Sequence, residues 1–212
     1  MVIEEFEAGP VATKGYLVAD GQGGAALAID APQGTAGAMV AKAREWGVSI
    51  AMLIDTHGHW DHILDNAALR RLSGARLGTH PDTAPLLAMP QTAIFGLDID
   101  LEPTQPDFLL QEGTPLRVGA LEFEVRHCPG HCPGSVVLYA AGERAVFVGD
   151  VLFAGSIGRT DLPGGDYEML LRSIREKLLS LGDEVRVFSG HGPATTIGRE
   201  RRGNPFLVPG RG

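Results

Sequence analysis

The chain contains 212 residues, of which 44% are hydrophobic and 21% are charged, and its formal net charge at pH 7 is −8. These proportions are ordinary for a soluble globular protein and exclude a disordered chain. A surface with this sign of charge repels phosphate backbones, so general nucleic-acid binding is not expected. The sequence has no run of about 18 uncharged apolar residues that would suggest a membrane span.

The length favours one large domain, and we expect residues 1–212 to form it. The first ten residues have neither the basic region nor the apolar stretch of a secretory signal. The two cysteines, Cys128 and Cys132, are too few for a disulfide framework or a cysteine-based zinc module. These features together predict a cytoplasmic protein.

The pattern of apolar residues predicts alternating strands and helices in the first half of the chain. Gly- and Pro-rich stretches between the apolar runs mark the turns. Residues 81–107 contain several prolines and are predicted as a long irregular excursion, in which the part around Phe95 to Asp107 would form an apolar pocket wall. The predicted strands cover 2–6, 16–19, 25–29, 50–54 and 76–78, and the predicted helices cover 34–46 and 63–72.

The second half of the chain repeats this plan. Strands are predicted over 116–126, 135–148 and 185–188, and an amphipathic helix over 167–181. Each half would then have its own sheet and helices. Two sheets packed together with helices outside would bury both, which predicts an α/β protein.

Three histidines and one aspartate lie within residues 57–62, between a predicted strand and a predicted helix. Residues two apart in an extended segment point the same way, so His57 and His59 can approach one cation. Asp61 and His62 lie where the chain turns into the helix and can face a second point nearby. Imidazole and carboxylate together suit zinc, iron or manganese rather than calcium. The alternative interpretation is a helix cap with satisfied polar side chains, formed for example by Asp61.

Three later residues fit the same site because each is presented by a strand end or a tight turn. His131 lies in a turn rich in Gly and Pro, Asp150 ends an apolar run, and His191 follows the last predicted strand. An α/β architecture gathers its site at strand ends. The sequence therefore predicts two adjacent metal ions, although a strand-end aspartate such as Asp150 is also a common cap.

The remaining histidines and the cysteines have simpler interpretations. His80 and His127 are interpreted as structural. Cys128 and Cys132 flank His131 and are interpreted as small buried side chains. Their nearness to a metal would also make them targets of oxidation.

The order His-x-His-x-Asp-His, Gly-flanked His, strand-end Asp and Gly-flanked His resembles the metallo-β-lactamase superfamily over nearly the whole chain. Within it, the segments CPGH, GRTD, GHGP and NPFL resemble the short, single-domain glyoxalase II-like hydroxyacylglutathione hydrolases; they occupy 128–131, 158–161, 190–193 and 204–207. The resemblance implies a four-layer αβ/βα sandwich of two mixed sheets with helices outside. It also implies that the separate C-terminal helical substrate domain of full-length glyoxalase II enzymes is absent.

The resemblance further implies a binuclear site with seven ligands. Asp150 would bridge the two ions, and both Asp61 and Asp150 would be catalytic. The ions are expected to be zinc, with iron or manganese as alternatives. The first ion would be bound by His57, His59 and His131, and the second by Asp61, His62 and His191.

Such a site predicts a hydrolase, because a water that bridges two cations loses a proton near neutral pH and becomes a nucleophile. By the resemblance, its partner would be a small thioester of the S-acylglutathione type, whose thiolate leaves without a strong general acid. Arg159 would bind a substrate carboxylate and Tyr167 would lie on the substrate side. Each of these two residues is also interpretable as an ordinary surface residue.

The main alternative is a persulfide dioxygenase, which the segment 158–161 also resembles. It would use a single non-haem iron at His57, His131 and Asp150. A non-catalytic scaffold fits less well, because a structural zinc site uses four ligands, often cysteines. β-Lactam hydrolysis and RNA processing are not expected, because the sequence shows no secretory signal and no RNA-grasping segment.

Overall fold

The computed structural model describes residues 1–21, 23–90, 92, 99 and 101–208. The chain divides into two compact units. The N-terminal unit comprises Met1–Leu110 and Arg117–Leu121, and the C-terminal unit comprises Gln111–Leu116 and Glu122–Gly212. Within the described ranges, no helix combines the length and the hydropathy that crossing a membrane requires.

The N-terminal unit is built on a six-stranded mixed sheet with the strand order β1-β2-β3-β4-β5-β6. The first three strands pair antiparallel, and β3 to β6 pair parallel. Four helices accompany the sheet. In chain order the elements are β1 (Val2–Ala8), β2 (Thr13–Ala19), β3 (Gly24–Ile29), α1 (Ala36–Glu45), β4 (Val48–Ile54), α2 (Trp60–Ile63), α3 (Asn66–Ser73), β5 (Arg76–Thr79), α4 (Ala84–Ala88) and β6 (Phe108–Leu109).

Helix α1 confirms the helix predicted over 34–46. Its buried residues Met39, Val40 and Ala43 recur at helical spacing. They belong to one hydrophobic cluster with Leu17 of β2 and Leu53 of β4. Burying each such side chain contributes roughly 1.5–3 kcal/mol, so this packing is what holds α1 on the sheet.

The helix predicted over 63–72 is present as α3 but begins later, at Asn66, and a separate short helix, α2, precedes it. The backbone N–H of Asp65 donates to the carbonyl of Ala31 at 2.9 Å, and the N–H of Ala31 donates to the carbonyl of His62 at 2.7 Å. In a continuous helix the N–H of Asp65 would donate to the carbonyl four residues earlier, and the carbonyl of His62 would accept from the residue four later. Both groups bond to Ala31 instead, and this separates the two helices. Because α2 begins at Trp60, Asp61 and His62 lie inside a helical turn.

The predicted excursion contains α4, which the sequence did not predict. Its last part is tied to α3: the guanidinium of Arg70 donates to both carboxylate oxygens of Asp107, at 3.1 and 2.9 Å. Arg71 likewise donates to Glu102. Phe95, the expected start of an apolar pocket wall, lies outside the described residues.

A second six-stranded mixed sheet, ordered β14-β13-β10-β9-β8-β7, lies in the C-terminal unit except for residues 117–118 of β7 and Leu121 of β8. The unit also contains a separate hairpin of β11 and β12. Strand β10 pairs antiparallel with β9 and parallel with β13. The elements are β7 (Leu116–Val118), β8 (Leu121–His127), β9 (Val136–Ala140), β10 (Ala145–Gly149), β11 (Leu152–Phe153), β12 (Ser156–Ile157), α5 (Tyr167–Ser173), β13 (Arg186–Ser189), β14 (Thr195–Thr196) and α6 (Ile197–Gly203).

Helix α5 continues into a π-helical turn over Ile174–Leu178, so the helix predicted over 167–181 is present but ends earlier. Leu170 and Ile174 are buried in a cluster with Val146 and Val187 of the sheet. Each unit thus has its own sheet, helices and hydrophobic cluster. The expected α/β class with two mixed sheets is confirmed.

Gly130 provides a test of how closely α5 is packed. Its φ is +129°, and a Cβ there would lie 2.3 Å from the backbone nitrogen of Leu170. We expect Gly130→Ala to lower the free energy of unfolding by about 3 kcal/mol, because both the backbone and the helix must shift. Urea denaturation measures this.

Gly142→Ala is the matched control, since no atom lies within 4 Å of a Cβ built at Gly142. We expect it to change stability by less than about 1 kcal/mol. Equal losses in the two variants would contradict the close packing of Gly130 on α5.

Candidate functional site

Parallel strands β3 and β4 present the first set of candidate ligands. Ile29 and Ile54, the last residues of the two strands, are paired in register. The chain therefore leaves both strands at one edge of the sheet, with Asp30 after β3 and Asp55 to His57 after β4. His59 has an extended backbone and precedes α2, which places Asp61 and His62 in the next turn.

The structure brings together the four residues that the sequence predicted here, which we call the N-terminal ligand group: His57, His59, Asp61 and His62. The ring of His57 lies 4.7 Å from that of His59 and 4.2 Å from that of His62, centroid to centroid. Nε2 of His62 is 3.5 Å from Oδ2 of Asp61. His57, Asp61 and His62 are buried.

Asp30 is a buried carboxylate that the sequence analysis missed. Its Oδ1 accepts the backbone N–H of Thr56 at 2.7 Å, and its Oδ2 accepts the Thr56 hydroxyl at 2.8 Å. The same Oδ2 lies 2.7 Å from Nδ1 of His62. The sequence does contain a signal for Asp30, because this residue directly follows an apolar strand, as Asp150 does.

These contacts decide which nitrogen of each histidine carries the proton. A carboxylate only accepts, so Nδ1 of His62 must be the donor to Asp30. The hydroxyl of Thr56 donates its one hydrogen to Asp30. It can therefore only accept from Nδ1 of His57, which is 3.1 Å away. Both rings are therefore Nδ1–H tautomers, with the lone pair on Nε2.

Asp61 is also held in place. Its Oδ2 accepts a hydrogen bond from the hydroxyl of Thr13, the first residue of β2, at 2.6 Å. Helices α2 and α3 have no side-chain cap at their N-terminal ends. The alternative interpretation of Asp61 as a helix cap is therefore wrong.

Asp55 adds a second buried acid beside Asp30. Its Oδ2 accepts from Nδ2 of Asn66 at 2.7 Å. Burial raises the pKa of Asp55 well above the usual range, and the charge of Asp30 raises it further. Asp55, which directly follows β4, is thus bonded to Asn66, the first residue of α3.

The C-terminal unit repeats the arrangement on parallel strands β10 and β13. Gly149 and Ser189 are paired, and the N–H of Gly190 donates to the carbonyl of Gly149 at 2.8 Å. Asp150 and His191 follow directly. Together with His131 from the loop after β8, they form what we call the C-terminal ligand group.

One carboxylate oxygen lies between the two imidazoles of this group. Oδ2 of Asp150 is 3.6 Å from Nε2 of His131 and 3.4 Å from Nε2 of His191. Nδ1 of His131 lies 2.8 Å from the carbonyl oxygen of Arg159. A carbonyl only accepts, so His131 is also an Nδ1–H tautomer with its lone pair on Nε2.

These distances test whether the donors fit a metal ion. They are longer than hydrogen bonds, which place N and O about 2.7–3.2 Å apart. Two ligand atoms about 2.0–2.1 Å from one zinc, at a tetrahedral angle, are about 3.4 Å apart. The pairs His131–Asp150, His191–Asp150 and His62–Asp61 all lie between 3.4 and 3.6 Å. The donors within each unit therefore fit first-row metal ions.

The two predicted substrate residues lie on the surface. The guanidinium of Arg159 donates to both oxygens of Asp161, at 2.7 and 2.8 Å. This hydrogen bonding lowers the pKa of Asp161 to about 2. Tyr167, the first residue of α5, has 44% of its surface exposed. The backbone of Arg159 therefore contacts a candidate ligand, while its side chain has an acidic partner.

The remaining histidines and cysteines have local roles. Nδ1 of His80 accepts the backbone N–H of Asp82 at 3.2 Å, and Nε2 of His127 lies 2.7 Å from the carbonyl of Pro133. Cys128 and Cys132 are both buried, as expected. Burial raises the pKa of the Cys128 thiol to about 12, which argues against it as an oxidation target because the thiolate is the reactive form.

A sequence profile of the metallo-beta-lactamase superfamily matches residues 16–191. A Haemophilus influenzae protein named hydroxyacylglutathione hydrolase GloC is 40% identical over 195 residues, which are 90% of this chain and 91% of that protein. The chain therefore belongs to the metallo-beta-lactamase superfamily. It is a metal-dependent hydrolase of that superfamily.

Three solved structures have the same fold. BLEG-1 B3 metallo-beta-lactamase superposes with a TM-score of 0.89 at 37% identity and covers 98% of this chain and 100% of that chain. TTHA1623, solved in a di-iron-bound form, gives 0.85 at 38% identity over 96% and 100%. ETHE1 from Myxococcus xanthus gives 0.82 at 27% identity over 97% and 84%.

The role of Asp30 is tested by Asp30→Asn. Asn tolerates the left-handed backbone of this residue, whose φ is +56°, so the change isolates the carboxylate. The side-chain amide of the new Asn can be placed in two orientations. Its NH2 group then faces a donor in either one: the backbone N–H of Thr56 if it takes the place of Oδ1, or Nδ1–H of His62 if it takes the place of Oδ2. We expect zinc affinity, measured by chelator competition, to fall about 10–100-fold.

Glu45→Gln is the control, because Glu45 is an exposed acid of the same unit. We expect it to leave zinc affinity within about twofold. An unchanged affinity in Asp30→Asn would show that the carboxylate does not orient the ligands.

The pair of Arg159 and Asp161 predicts a pH dependence. In Arg159→Gln the pKa of Asp161 should rise from about 2 toward its ordinary value of about 3.9, because the largest cause of the lowering is removed. Because the pKa is lower in the folded protein, the pair stabilises the fold above about pH 4, and this contribution is lost as the pH falls toward about 2. Carboxyl 13C NMR measures the midpoint, with Arg172→Gln as control, and an unshifted midpoint would refute the pairing.

Proposed function

We propose that this protein is a glyoxalase II-like thioesterase that hydrolyses S-acylglutathione-type thioesters with two divalent metal ions. The observation that carries the proposal is the set of histidines held as Nδ1–H tautomers, with Asp150 between two Nε2 atoms. The name of the Haemophilus influenzae relative supports the substrate class.

The proposal assigns ligands from both groups to one binuclear centre, on the strength of the motif order. Zinc is the proposed metal, with iron or manganese as alternatives; the di-iron form of TTHA1623 supports a pair of ions. Asp150 would bridge the ions. The first ion would be held by His57, His59 and His131, and the second by Asp61, His62 and His191.

Metal ions in such a centre lower the pKa of water to near neutrality and polarise the carbonyl that is attacked. The chain's own residues keep the donors in position. Asp30 keeps the proton on Nδ1 of His62, and Thr56 does the same for His57. The hydroxyl of Thr13 orients the carboxylate of Asp61.

Substrate recognition is proposed for Arg159 and Tyr167. Arg159 offers a planar guanidinium that matches a carboxylate, and Asp161 now occupies that face. An anionic substrate would have to exchange with Asp161. Tyr167 presents a half-exposed ring at the start of α5.

A persulfide dioxygenase remains the second candidate, with a single iron at His57, His131 and Asp150. The similarity to ETHE1 over 97% of this chain favours keeping it. The two candidates differ in what they need. The thioesterase requires the second ion and therefore Asp61, whereas the dioxygenase does not.

The deciding experiment measures S-lactoylglutathione hydrolysis and the metal content of the same sample. We expect turnover at two ions per chain, and at least about a 100-fold loss of kcat/KM in Asp61→Asn, because even the partners of ligands are worth about 10–100-fold. Glu45→Gln should retain wild-type activity.

Oxygen uptake on glutathione persulfide by the iron-loaded protein is the parallel assay. Uptake that survives Asp61→Asn, without thioester hydrolysis, would replace the proposed function with the dioxygenase. Hydrolysis of a cephalosporin but not of the thioester would instead indicate a β-lactamase.

A further inference from the structure

Residues 151–158, here called the hairpin segment, connect the members of the C-terminal ligand group. The segment begins directly after Asp150 and ends one residue before Arg159, whose carbonyl holds Nδ1 of His131. Between these ends, the ring of Phe153 lies edge-on to that of His191, with 6.0 Å between centroids. The hairpin segment therefore contacts His191 directly and is joined at its two ends to Asp150 and to Arg159, which holds His131.

The two ends of the hairpin segment also meet closely. The N–H of Gly158 donates to the carbonyl of Val151 at 3.4 Å. A Cβ built at Gly158 would lie 1.9 Å from the carbonyl oxygen of Asp150 and 3.1 Å from Nδ1 of His131. A shift of the segment would therefore move the carboxylate and the imidazole together.

The tip of the hairpin segment is held by two buried polar residues of the C-terminal helical region, Glu200 and Asn204. Oε2 of Glu200 accepts the backbone N–H of Gly155 at 2.8 Å. Nδ2 of Asn204 donates to the carbonyl of Ser156 at 2.9 Å. Together they bond Gly155, in the two-residue turn between β11 and β12, and Ser156, the first residue of β12.

Glu200 and Asn204 also hold each other and are fixed from behind. Nδ2 of Asn204 donates to Oε2 of Glu200 at 2.9 Å, and Oε1 of Glu200 accepts the hydroxyl of Thr195 at 2.5 Å. Oδ1 of Asn204 accepts the N–H of Phe206 at 3.0 Å. Glu200 is only 1% exposed, and removing a buried acceptor that has three donors leaves those donors unsatisfied.

We propose that Glu200 and Asn204 are positioning residues: they hold the tip of the hairpin segment, and the hairpin segment sets the geometry of the C-terminal ligand group. The proposal rests on the proposed function only in taking that group as metal ligands. It gives Asn204, the first residue of the segment NPFL, and Glu200, one helical turn before it, a role in positioning the ligand group.

The test compares two substitutions at Glu200. In Glu200→Gln, the amide oxygen can still accept from Gly155 and Asn204, because the Thr195 hydroxyl can turn and accept from the amide nitrogen. Glu200→Met keeps a similar length and removes every acceptor. We expect Met to weaken zinc binding about tenfold and Gln to stay within about threefold of wild type.

Histidine 15N–1H NMR of the metal-free variants gives a readout that does not depend on activity. We expect the Nδ1–H signal of His131 to shift or disappear in Glu200→Met and to persist in Glu200→Gln. The signal of His62, held by Asp30 in the other unit, is the internal reference and should not change.

Leu138→Ala controls for a general loss of stability, because Leu138 of β9 is buried in the same unit and lies outside the hydrophobic cluster that contains Val151, Leu152 and Ile157 of the hairpin segment. It should leave the His131 signal and the zinc affinity unchanged. If Glu200→Met does not fold, Asn204→Ala tests the same tip through the carbonyl of Ser156.

An unchanged His131 signal and zinc affinity in the folded Met variant would overturn the proposal. So would equal impairment in the Gln variant, since the charge rather than the hairpin contact would then matter. These outcomes are independent of thioester turnover: a wild-type protein inactive on S-lactoylglutathione would refute the proposed function and leave the positioning role standing.

Discussion

A neutral imidazole can present its Nε2 lone pair to a metal only while Nδ1 keeps the proton, and both units are organised around this constraint. In the N-terminal unit the acceptors are the carboxylate of Asp30 and the hydroxyl of Thr56. In the C-terminal unit the acceptor is a neutral backbone carbonyl, that of Arg159. A carboxylate raises the basicity of the imidazole that it holds more than a carbonyl does, so His62 is the stronger donor by this criterion.

The same two units show how backbone pairing prepares a site. In each, two parallel neighbours end in register, and polar residues follow directly: Asp30 and the segment after β4 in one, Asp150 and His191 in the other. Apolar strands fix where the chain emerges, and the bonds among polar residues then fix where the side chains point. Packing supplies the position, and hydrogen bonding supplies the orientation.

The sequence predicted the major strands and the N-terminal ligand group, and each feature that it did not predict has a physical cause. The N-terminal ligand group is contiguous, so its spacing alone brought it together, and the major strands followed from apolar runs. Asp30 was missed because its partners Thr56 and His62 lie 26 and 32 residues away, and the role of Glu200 was missed because its bond to Gly155 spans 45 residues. The break between α2 and α3 was not predicted because it depends on bonds to Ala31, and no local sequence pattern connects Ala31 with these helices.

The position of Glu200 and Asn204 along the chain has a consequence for the order of assembly. The hydrogen bonds described above for the N-terminal ligand group lie within residues 13–66, so those bonds can form early in synthesis. The hairpin segment, in contrast, is made about forty residues before the side chains that hold its tip, and it must wait for them. During translation the protein would therefore complete its two ligand groups at different times. A nascent chain would for some time hold a formed N-terminal ligand group and a C-terminal ligand group that is not yet held in position.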